Sequence, residues 1–191
     1  MGTGILVCGL NGAGKSTLGR ALAEASGSHF IDNEDLYFPK TDPAYLYAAP
    51  RRRDEVERLL LREIRAHEDF VFASVKGDYG EAVRAFFSCA VLIAVPRDVR
   101  LQRVRDRSFQ KFGSRILPGG DLCEQEKGFF DLVSSRPEDM VEEWVKDLSC
   151  PVIRVNGTRP VEENVELICT AMARTNSRSG AAAKSPDRTC G

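Results

Sequence analysis

Gly9-Leu10-Asn11-Gly12-Ala13-Gly14-Lys15-Ser16 is the stretch of this sequence that decides its fold. It matches the pattern G-x-x-x-x-G-K-[ST] in full. Glycines let backbone N–H groups close around a phosphate without a Cβ in the way, and the following helix directs its dipole at the anion. The lysine can reach the β- and γ-phosphates of a nucleotide, and the serine hydroxyl can bind Mg²⁺. We therefore predict a phosphate-binding loop (P-loop) here, with Thr17 extending the start of the helix.

The residues on either side of the P-loop give it the context that the motif requires. A short apolar run, Ile5–Cys8, precedes it, and an amphipathic stretch, Lys15–Ala25, follows it. A strand, the loop and a helix in this order are the arrangement in which the motif binds phosphate.

Short apolar runs alternate with amphipathic stretches along the rest of the chain. This pattern predicts a three-layer α/β fold with a parallel sheet of about five strands. Most runs are continuous, which is typical of strands covered on both faces. The predicted strands are Ile5–Cys8, His29–Ile31, Phe70–Ser74, Ala90–Val95 and Val152–Val155. The predicted helices are Lys15–Ala25, Asp54–His67, Glu81–Phe87, Val99–Arg107 with Asp98 as N-cap, and Val161–Ala173.

The composition fits one globular domain. A chain of 191 residues is long enough for one α/β domain and short for two. Its 27 basic and 28 acidic residues nearly cancel, so no global charge attracts nucleic acid or an anionic membrane.

No apolar run approaches the roughly 20 residues of a membrane span, and the start of the sequence lacks the basic segment of a signal peptide. We expect a cytoplasmic protein with a domain over residues 1–174 and a disordered tail over 175–191; the oligomeric state stays open.

The cysteines and histidines give little sign of a structural cross-link. The six cysteines are scattered without a C-x-x-C pair, so free thiols are favoured over a disulfide framework. With only His29 and His67, the sequence shows no zinc site of usual spacing.

Two segments interrupt the alternation of strands and helices. Residues 38–50 are rich in Tyr and Pro and predict an ordered loop. Residues 108–133 contain several Gly and Pro residues followed by a helix-like stretch, and we predict that they form a lid. Their phenylalanines argue against disorder.

Acidic side chains at strand ends separate the classes of P-loop protein. Motor ATPases and GTPases hold Mg²⁺ with a carboxylate at the end of an apolar strand. The predicted strand Phe70–Ser74 ends in Ser74 instead, and Ala90–Val95 is followed by Pro96-Arg97. The first acidic group at a strand end is Asp32. No N-K-x-D sequence supports guanine binding.

Phe30-Ile31-Asp32-Asn33-Glu34-Asp35 resembles the F-x-D-x-D element of shikimate kinases, and gluconate kinases have a similar acidic turn. The resemblance implies one carboxylate that organises Mg²⁺ and its water, and another that binds the acceptor hydroxyl and takes its proton. By position, Asp32 has the first role and Glu34 or Asp35 the second. The alternative is that the cluster solvates a turn or caps a helix.

Two further groups of residues point to an acceptor site. Residues 73–79, ASVKGDY, are similar to the S-A-L-K-x-x-Y stretch of gluconate kinases, with Gly80 in place of that motif's arginine. This likeness implies an acceptor-binding role for Lys76 and Tyr79. The run Arg51-Arg52-Arg53 opposes the dipole at a helix start. We predict that Arg51 and Arg53 bind an anionic acceptor; the alternative is simple surface charge.

Arginines also recur after Val95-Pro96, where Arg100, Arg103 and Arg107 share one helix face. The chain resembles small-molecule kinases of the nucleoside-monophosphate kinase type, in which an arginine-rich helix runs into a lid. That resemblance implies that Arg103, Arg107 and Arg115 clamp ATP phosphates and neutralise charge. The alternative is a solvated helix face.

These patterns together predict an ATP- and Mg²⁺-dependent kinase that phosphorylates a hydroxyl or phosphate of a small molecule. Ser16 and Asp32 are the expected Mg²⁺ ligands. The predicted catalytic residues are Lys15, Asp32, Glu34, Asp35, Arg107 and Arg115. The competing class is a nucleotide-dependent switch or AAA-type ATPase that acts on a protein partner. A nucleic-acid end kinase would need a basic groove, and the neutral charge balance disfavours it.

Overall fold

The structure, a computed structural model, describes residues 2–182, and it describes side chains up to residue 174. Within this range the strands are β1 (Gly4–Cys8), β2 (His29–Asp32), β3 (Phe70–Ser74), β4 (Phe87–Ala94) and β5 (Val152–Asn156). The helices are α1 (Lys15–Ser26), α2 (Asn33–Tyr37), α3 (Arg53–Ala66), α4 (Glu81–Arg84), α5 (Arg97–Phe112), α6 (Cys123–Ser135), α7 (Met140–Val145) and α8 (Val161–Ala182). A 3₁₀ turn covers Gly113–Ile116.

The five strands form one parallel sheet in the order β2-β3-β1-β4-β5. The central strand β1 is buried along its whole length. Because all strands run the same way, their carboxyl ends meet at one edge, where Asp32 pairs with Ala73 and Cys8 with Ser74. The predicted parallel sheet is confirmed.

Side chains alternate between the two faces of the sheet and build a core on each. Leu6 and Phe72 lie in one core with Leu60 of α3, whereas Ile5 and Val7 lie in the other core, which includes α1 and α8 side chains. The sheet is therefore sandwiched between two helical layers, and the predicted three-layer arrangement is confirmed.

Several predicted element boundaries were wrong. The helix predicted over Glu81–Phe87 ends at Arg84, since Phe87 is buried and already pairs with Gly4 as the first residue of β4. Helix α5 begins at Arg97, so Asp98 lies in its first turn rather than at the N-cap. The short helices α2 and α7 were not predicted.

The last helix, α8, is longer than the predicted Val161–Ala173. It extends to Ala182, so residues 175–182 of the segment predicted to be disordered are helical, while residues 183–191 lie outside the described part of the chain. No described helix is long and apolar enough to cross a membrane. The cysteines within this range, Cys8, Cys89, Cys123, Cys150 and Cys169, are free thiols.

The two segments predicted as loop and lid pack against each other. Tyr45 and Tyr47 of the loop lie against Phe112 at the end of α5, with ring centroids 5.5 and 6.1 Å apart. The predicted lid is mostly helical, because α5 continues to Phe112 and α6 covers its second half.

Candidate functional site

The P-loop connects the carboxyl end of β1 to the first residue of α1. Gly12 and Gly14 have φ angles of 81° and 93°, values that residues with a side chain rarely adopt. A Cβ on Gly12 would lie 2.2 Å from the carbonyl oxygen of Arg100, whereas a Cβ on Gly14 would meet nothing within 4 Å. The loop is therefore packed against α5 on one side and open on the other, where an anion can approach.

Lys15 is the cation at the centre of this site. Its Nζ donates a hydrogen bond of 3.2 Å to the carbonyl oxygen of Leu10. Burial, together with the positive charge of Arg107, lowers the pKa of Lys15 to about 8, and the Asp32 carboxylate partly opposes this shift. Such an amine is held among cations without a full counter-charge, so an anion is the ligand that would complete the site.

Two arginines that were not among the predicted site residues hold Asn11 of the P-loop. Nη1 of Arg136 donates a hydrogen bond of 2.6 Å to Asn11 Oδ1, and Nη1 of Arg100 donates one of 3.3 Å to the Asn11 carbonyl oxygen. Arg100 is 5% exposed. Arg136 follows α6 directly and also interacts electrostatically with Lys15. Only Arg100 had a signal in the sequence, a weak one, because it shares a helix face with Arg103 and Arg107; Arg136 had none.

Asp32 lies at the carboxyl end of β2 and caps α2. Its Oδ1 accepts a hydrogen bond of 3.0 Å from the Glu34 backbone N–H, and its Oδ2 lies 3.8 Å from Nη2 of Arg20. The side chain is 10% exposed. The helix-cap alternative therefore holds for one oxygen, while the other oxygen makes a long ion pair with Arg20.

The other two acidic residues of this turn differ in their surroundings. Glu34 Oε1 accepts a hydrogen bond of 3.1 Å from the Tyr47 hydroxyl. Asp35 is paired with Lys40 and its side chain is 54% exposed. Glu34 thus faces the loop and the lid, whereas Asp35 faces solvent.

The loop tyrosines connect the acidic turn to the lid, a connection that sequence reasoning missed. Lys111 of α5 donates a hydrogen bond of 2.6 Å to the Tyr47 hydroxyl, which in turn donates to Glu34. The Tyr45 hydroxyl donates one of 2.8 Å to Glu126 Oε1 in α6. Glu126 is 1% exposed, and its Oε2 has no hydrogen-bond partner among the described residues.

Three of the predicted acceptor-binding residues lie beside the acidic turn and α2, and they contact Asn33, Leu36 and one another. The Tyr79 hydroxyl donates a hydrogen bond of 2.5 Å to Asn33 Oδ1, and the Arg53 guanidinium lies 5.9 Å from the Tyr79 ring centroid. Burial raises the pKa of Tyr79. Arg51 donates a hydrogen bond of 2.7 Å to the carbonyl oxygen of Leu36 and so holds the end of α2.

Arg53 also pairs with Asp78, at 3.5 Å. Among the described residues, the Lys76 side chain has no hydrogen bond or ion pair, so its ammonium is available to a ligand.

The predicted lid arginines fall into three different environments. Arg103 donates a hydrogen bond of 3.1 Å to the Gly157 carbonyl oxygen beside the P-loop. Arg107 lies near Lys15 and makes no hydrogen bond to a described residue. Arg115 pairs with Asp121 through three hydrogen bonds of 3.0, 3.2 and 2.6 Å, within the lid. Arg103 and Arg107 therefore lie beside the P-loop, whereas Arg115 is held within the lid.

Residues 5–115 match the AAA domain family, and this match covers more than half of the chain. The chain belongs to this family. The AAA domain protein is also 29% identical over 172 residues to "Uncharacterized protein YqaC" of Bacillus subtilis (strain 168), a match that covers 86% of this chain and 94% of that protein.

Two solved structures share the fold of this AAA domain protein. A gluconokinase from Sinorhizobium meliloti 1021 is 19% identical with a TM-score of 0.57, and the match covers 96% of this chain and 98% of that one. A shikimate kinase from Acinetobacter baumannii, in complex with shikimate, is 19% identical with a TM-score of 0.58, covering 92% and 95%. Both likenesses show the shared three-layer α/β fold, in agreement with the fold that the sequence resemblance implied.

Proposed function

We propose that this AAA domain protein is an ATP-dependent phosphotransferase that transfers the γ-phosphate to a hydroxyl or phosphate of a small molecule. The observation that carries the proposal is the position of Asp32 relative to Lys15. Asp32 ends β2 at the same sheet edge as the P-loop, and its charge acts on the Lys15 amine. Ligands of open α/β sheets bind at this edge.

The charges around Lys15 suit a polyphosphate. Arg107 and Arg136 add two positive charges, while Asp32 is the carboxylate that acts on Lys15. The excess of positive charge, beside an open loop of backbone N–H groups, favours a ligand with several negative charges. ATP meets this requirement, and residues 9–17 with Arg103 would hold it.

Ser16 and Asp32 would hold Mg²⁺, and this ion would supply charge neutralisation at the transferred phosphate. Ser16 lies in the first turn of α1, directly after Lys15. Mg²⁺ prefers oxygen ligands and keeps several waters. Oδ2 of Asp32, which lies 3.8 Å from Nη2 of Arg20, would contact the ion through water, since Oδ1 is already used in the helix cap.

The acceptor would lie beyond the acidic turn, between Glu34 and the Tyr79 side. Glu34 is positioned by Tyr47 and would orient or deprotonate the acceptor hydroxyl. Lys76 and Arg53 would attract an anionic group of the acceptor, with Tyr79 and Arg51 holding the surrounding elements in place. Residues 108–133 would act as the lid of a single domain over residues 1–174.

The competing function is a switch or AAA-type ATPase that acts on a protein partner, and the family description agrees with it as well. The strand ends next to β1 argue against it, because β3 ends at Ser74 and β4 at Ala94, without the Mg²⁺-binding carboxylate of motor ATPases. The kinase reaction is the better supported of the two.

The test is a screen of pooled sugars, sugar acids, nucleosides and nucleotides for phosphate transfer from radiolabelled ATP. We expect a labelled small molecule with the wild type and with Arg105→Ala, an exposed α5 control, but not with Lys15→Ala. ATP hydrolysis that rises only with a protein partner, with no labelled small molecule in any pool, would overturn the proposal.

A further inference from the structure

Three side chains of the kinds that bind metals lie together at the edge of the sheet opposite the P-loop. His29 is the first residue of β2, and Glu63 and His67 lie one turn apart at the end of α3. One possible ligand atom from each of the three lies within 4.8 Å of the others. None of these side chains belongs to the proposed active site.

We propose that His29, Glu63 and His67 form a binding site for a divalent transition metal of the zinc class. Nε2 of His29 and Nε2 of His67 lie 3.2 and 4.0 Å from the same oxygen, Oε2 of Glu63. Ligand atoms around a tetrahedral ion with bonds of about 2.0–2.1 Å are roughly 3.3 Å apart. Small side-chain rotations would therefore bring all three atoms to one ion.

The chemistry of this set favours zinc over magnesium. Two imidazole nitrogens and one carboxylate are ligands that Zn²⁺ commonly uses, whereas Mg²⁺ selects oxygen. The two imidazole rings stack at 3.6 Å with an interplanar angle of 14°, so their ring nitrogens lie side by side. Because the lone pair of an imidazole nitrogen lies in the ring plane, one ring would rotate out of the stack when both nitrogens bind one cation.

The site is open to solvent, and its backbone is held in place by hydrogen bonding. The three side chains are between 37% and 39% exposed, which leaves room for a water as fourth ligand. The frame is held by the His29 backbone N–H, which donates a hydrogen bond of 2.9 Å to the Asp69 carbonyl oxygen beyond α3. A bound ion would cross-link the start of β2 to the end of α3 and raise the stability of the fold.

This inference does not depend on the proposed kinase activity. Asp32 ends the strand that His29 begins, so the two sites are roughly 10 Å apart along β2. Metal binding and nucleotide binding are therefore expected to be separable.

The experiment uses the full chain, without a histidine tag and stripped of metal with a chelator. We expect one equivalent of Zn²⁺ in titration calorimetry, a rise in melting temperature, and the visible absorption of tetrahedral Co²⁺ when Co²⁺ is used instead. We expect each of three variants to weaken Zn²⁺ binding: His29→Ala, Glu63→Gln and His67→Ala. Replacing a residue that only supports a metal ligand already costs about 10–100-fold in affinity, so the loss of a ligand should exceed that range. Glu68→Gln, an exposed charge-matched control next to His67, should bind as the wild type does.

Glu63→Gln keeps the shape of the side chain, so a normal circular dichroism spectrum and a loss of Zn²⁺ binding together would support the site. Absence of stoichiometric Zn²⁺ binding by the wild type would overturn it. Binding that survives all three substitutions, with near-ultraviolet sulfur-to-cobalt absorption, would place the metal on cysteines and overturn it as well. The binding of a non-hydrolysable ATP analogue should be unchanged in Glu63→Gln.

Discussion

Arg136 and Asn11 are joined by a hydrogen bond of 2.6 Å between Nη1 and Oδ1, although 125 residues separate them in the chain. Asn11 belongs to the P-loop, and Arg136 follows the last residue of α6. Burial lowers the pKa of Arg136, and its charge also acts on Lys15. The chain directly after the proposed lid is thus bonded to the loop that would hold the phosphates.

Arg136→Ala should weaken ATP binding and turnover, because it removes both a positive charge and the bond that positions Asn11. A hydrogen bond to a charged group contributes about 1.5–3 kcal/mol, so the expected loss in kcat/KM is roughly 10–150-fold. Steady-state kinetics of Arg136→Ala, Asn11→Ala and the double variant would measure their coupling. Arg105→Ala, which removes an exposed arginine, is the control. Full additivity of the two single effects would contradict a coupled role.

Nucleotide affinity should fall as the pH rises above about 8. The Lys15 pKa of about 8 means that the amine is charged below this value and neutral above it in the free protein. Since a phosphate binds the charged form, affinity should be level below pH 8 and then decrease by up to about tenfold per pH unit. Fluorescence titration of an ATP analogue between about pH 7 and 9.5 tests this.

The lowered pKa of Lys15 also makes folding stability depend on pH, but stability should rise with pH where nucleotide affinity falls. The Lys15 pKa is below its ordinary value of 10.5, so burying the charged amine destabilises the ligand-free fold below about pH 8, and this penalty is relieved as the pH rises towards 10.5. Lys15→Ala should show neither the pH dependence of nucleotide affinity nor that of folding stability. Cys8, whose pKa burial raises to about 12, stays a thiol over most of this range. An affinity that does not change up to pH 9.5 would contradict the assigned role of Lys15.

The acidic turn should divide into a metal role and an acceptor role. Asp32→Asn should lower turnover with every acceptor and raise the Mg²⁺ concentration that is required. Glu34→Gln should reduce transfer to the acceptor by about 10²–10⁴-fold while slow hydrolysis of ATP persists. Tyr47→Phe, which removes the hydrogen bond to Glu34, should have a smaller effect in the same direction.

Asp35→Asn is the matched test within this turn, since Asp35 is exposed and paired with Lys40. We expect a smaller loss than for Glu34→Gln. Parallel assays of phosphate transfer to the acceptor and of ATP hydrolysis distinguish the metal role from the acceptor role. If all three acidic substitutions leave both rates within about threefold of the wild type, the turn has no catalytic role and the ATPase alternative gains support.

The lid arginines Arg107 and Arg115 should differ in the effect of their removal. Arg107 is near Lys15, so Arg107→Ala should lower kcat by the 10²–10³-fold that is typical of a lost charge-stabilising donor. Arg115→Ala removes both the arginine and its ion pair with Asp121. Asp121→Ala is the matched control, because it removes the ion pair but keeps the arginine. If Arg115 reaches the phosphates in the closed state, Arg115→Ala should impair turnover far more than Asp121→Ala. Equal effects would assign Arg115 to lid structure.

Closure of the lid should appear as protection from hydrogen exchange over residues 108–133. We expect this protection when a non-hydrolysable ATP analogue and Mg²⁺ are added, while β1, buried throughout, should not change. Lys15→Ala should not show the difference. Identical exchange in the free and bound states of the wild type would remove the lid proposal.

Most of the fold could be predicted because its signals are local. The apolar strand, the glycines and the helix around Lys15 are contiguous, and continuous apolar runs such as Phe70–Ser74 identify buried parallel strands. The wrong predictions of helix and strand boundaries lie where tertiary contacts override the local sequence pattern. Phe87 continues the amphipathic pattern of α4 but pairs with Gly4 in the sheet, and α2 owes its start to the Asp32 cap.

The sequence by itself determined the P-loop, the parallel sheet and the acidic turn at the end of β2, since each rests on residues adjacent in the chain. Only the tertiary structure brought Arg136 to Asn11, Tyr45 to Glu126, and His29 to Glu63 and His67. The physical reason is that no spacing rule links side chains on different elements. Their distance depends on how the helices pack on the sheet, and packing is decided by the whole core rather than by any one stretch of sequence.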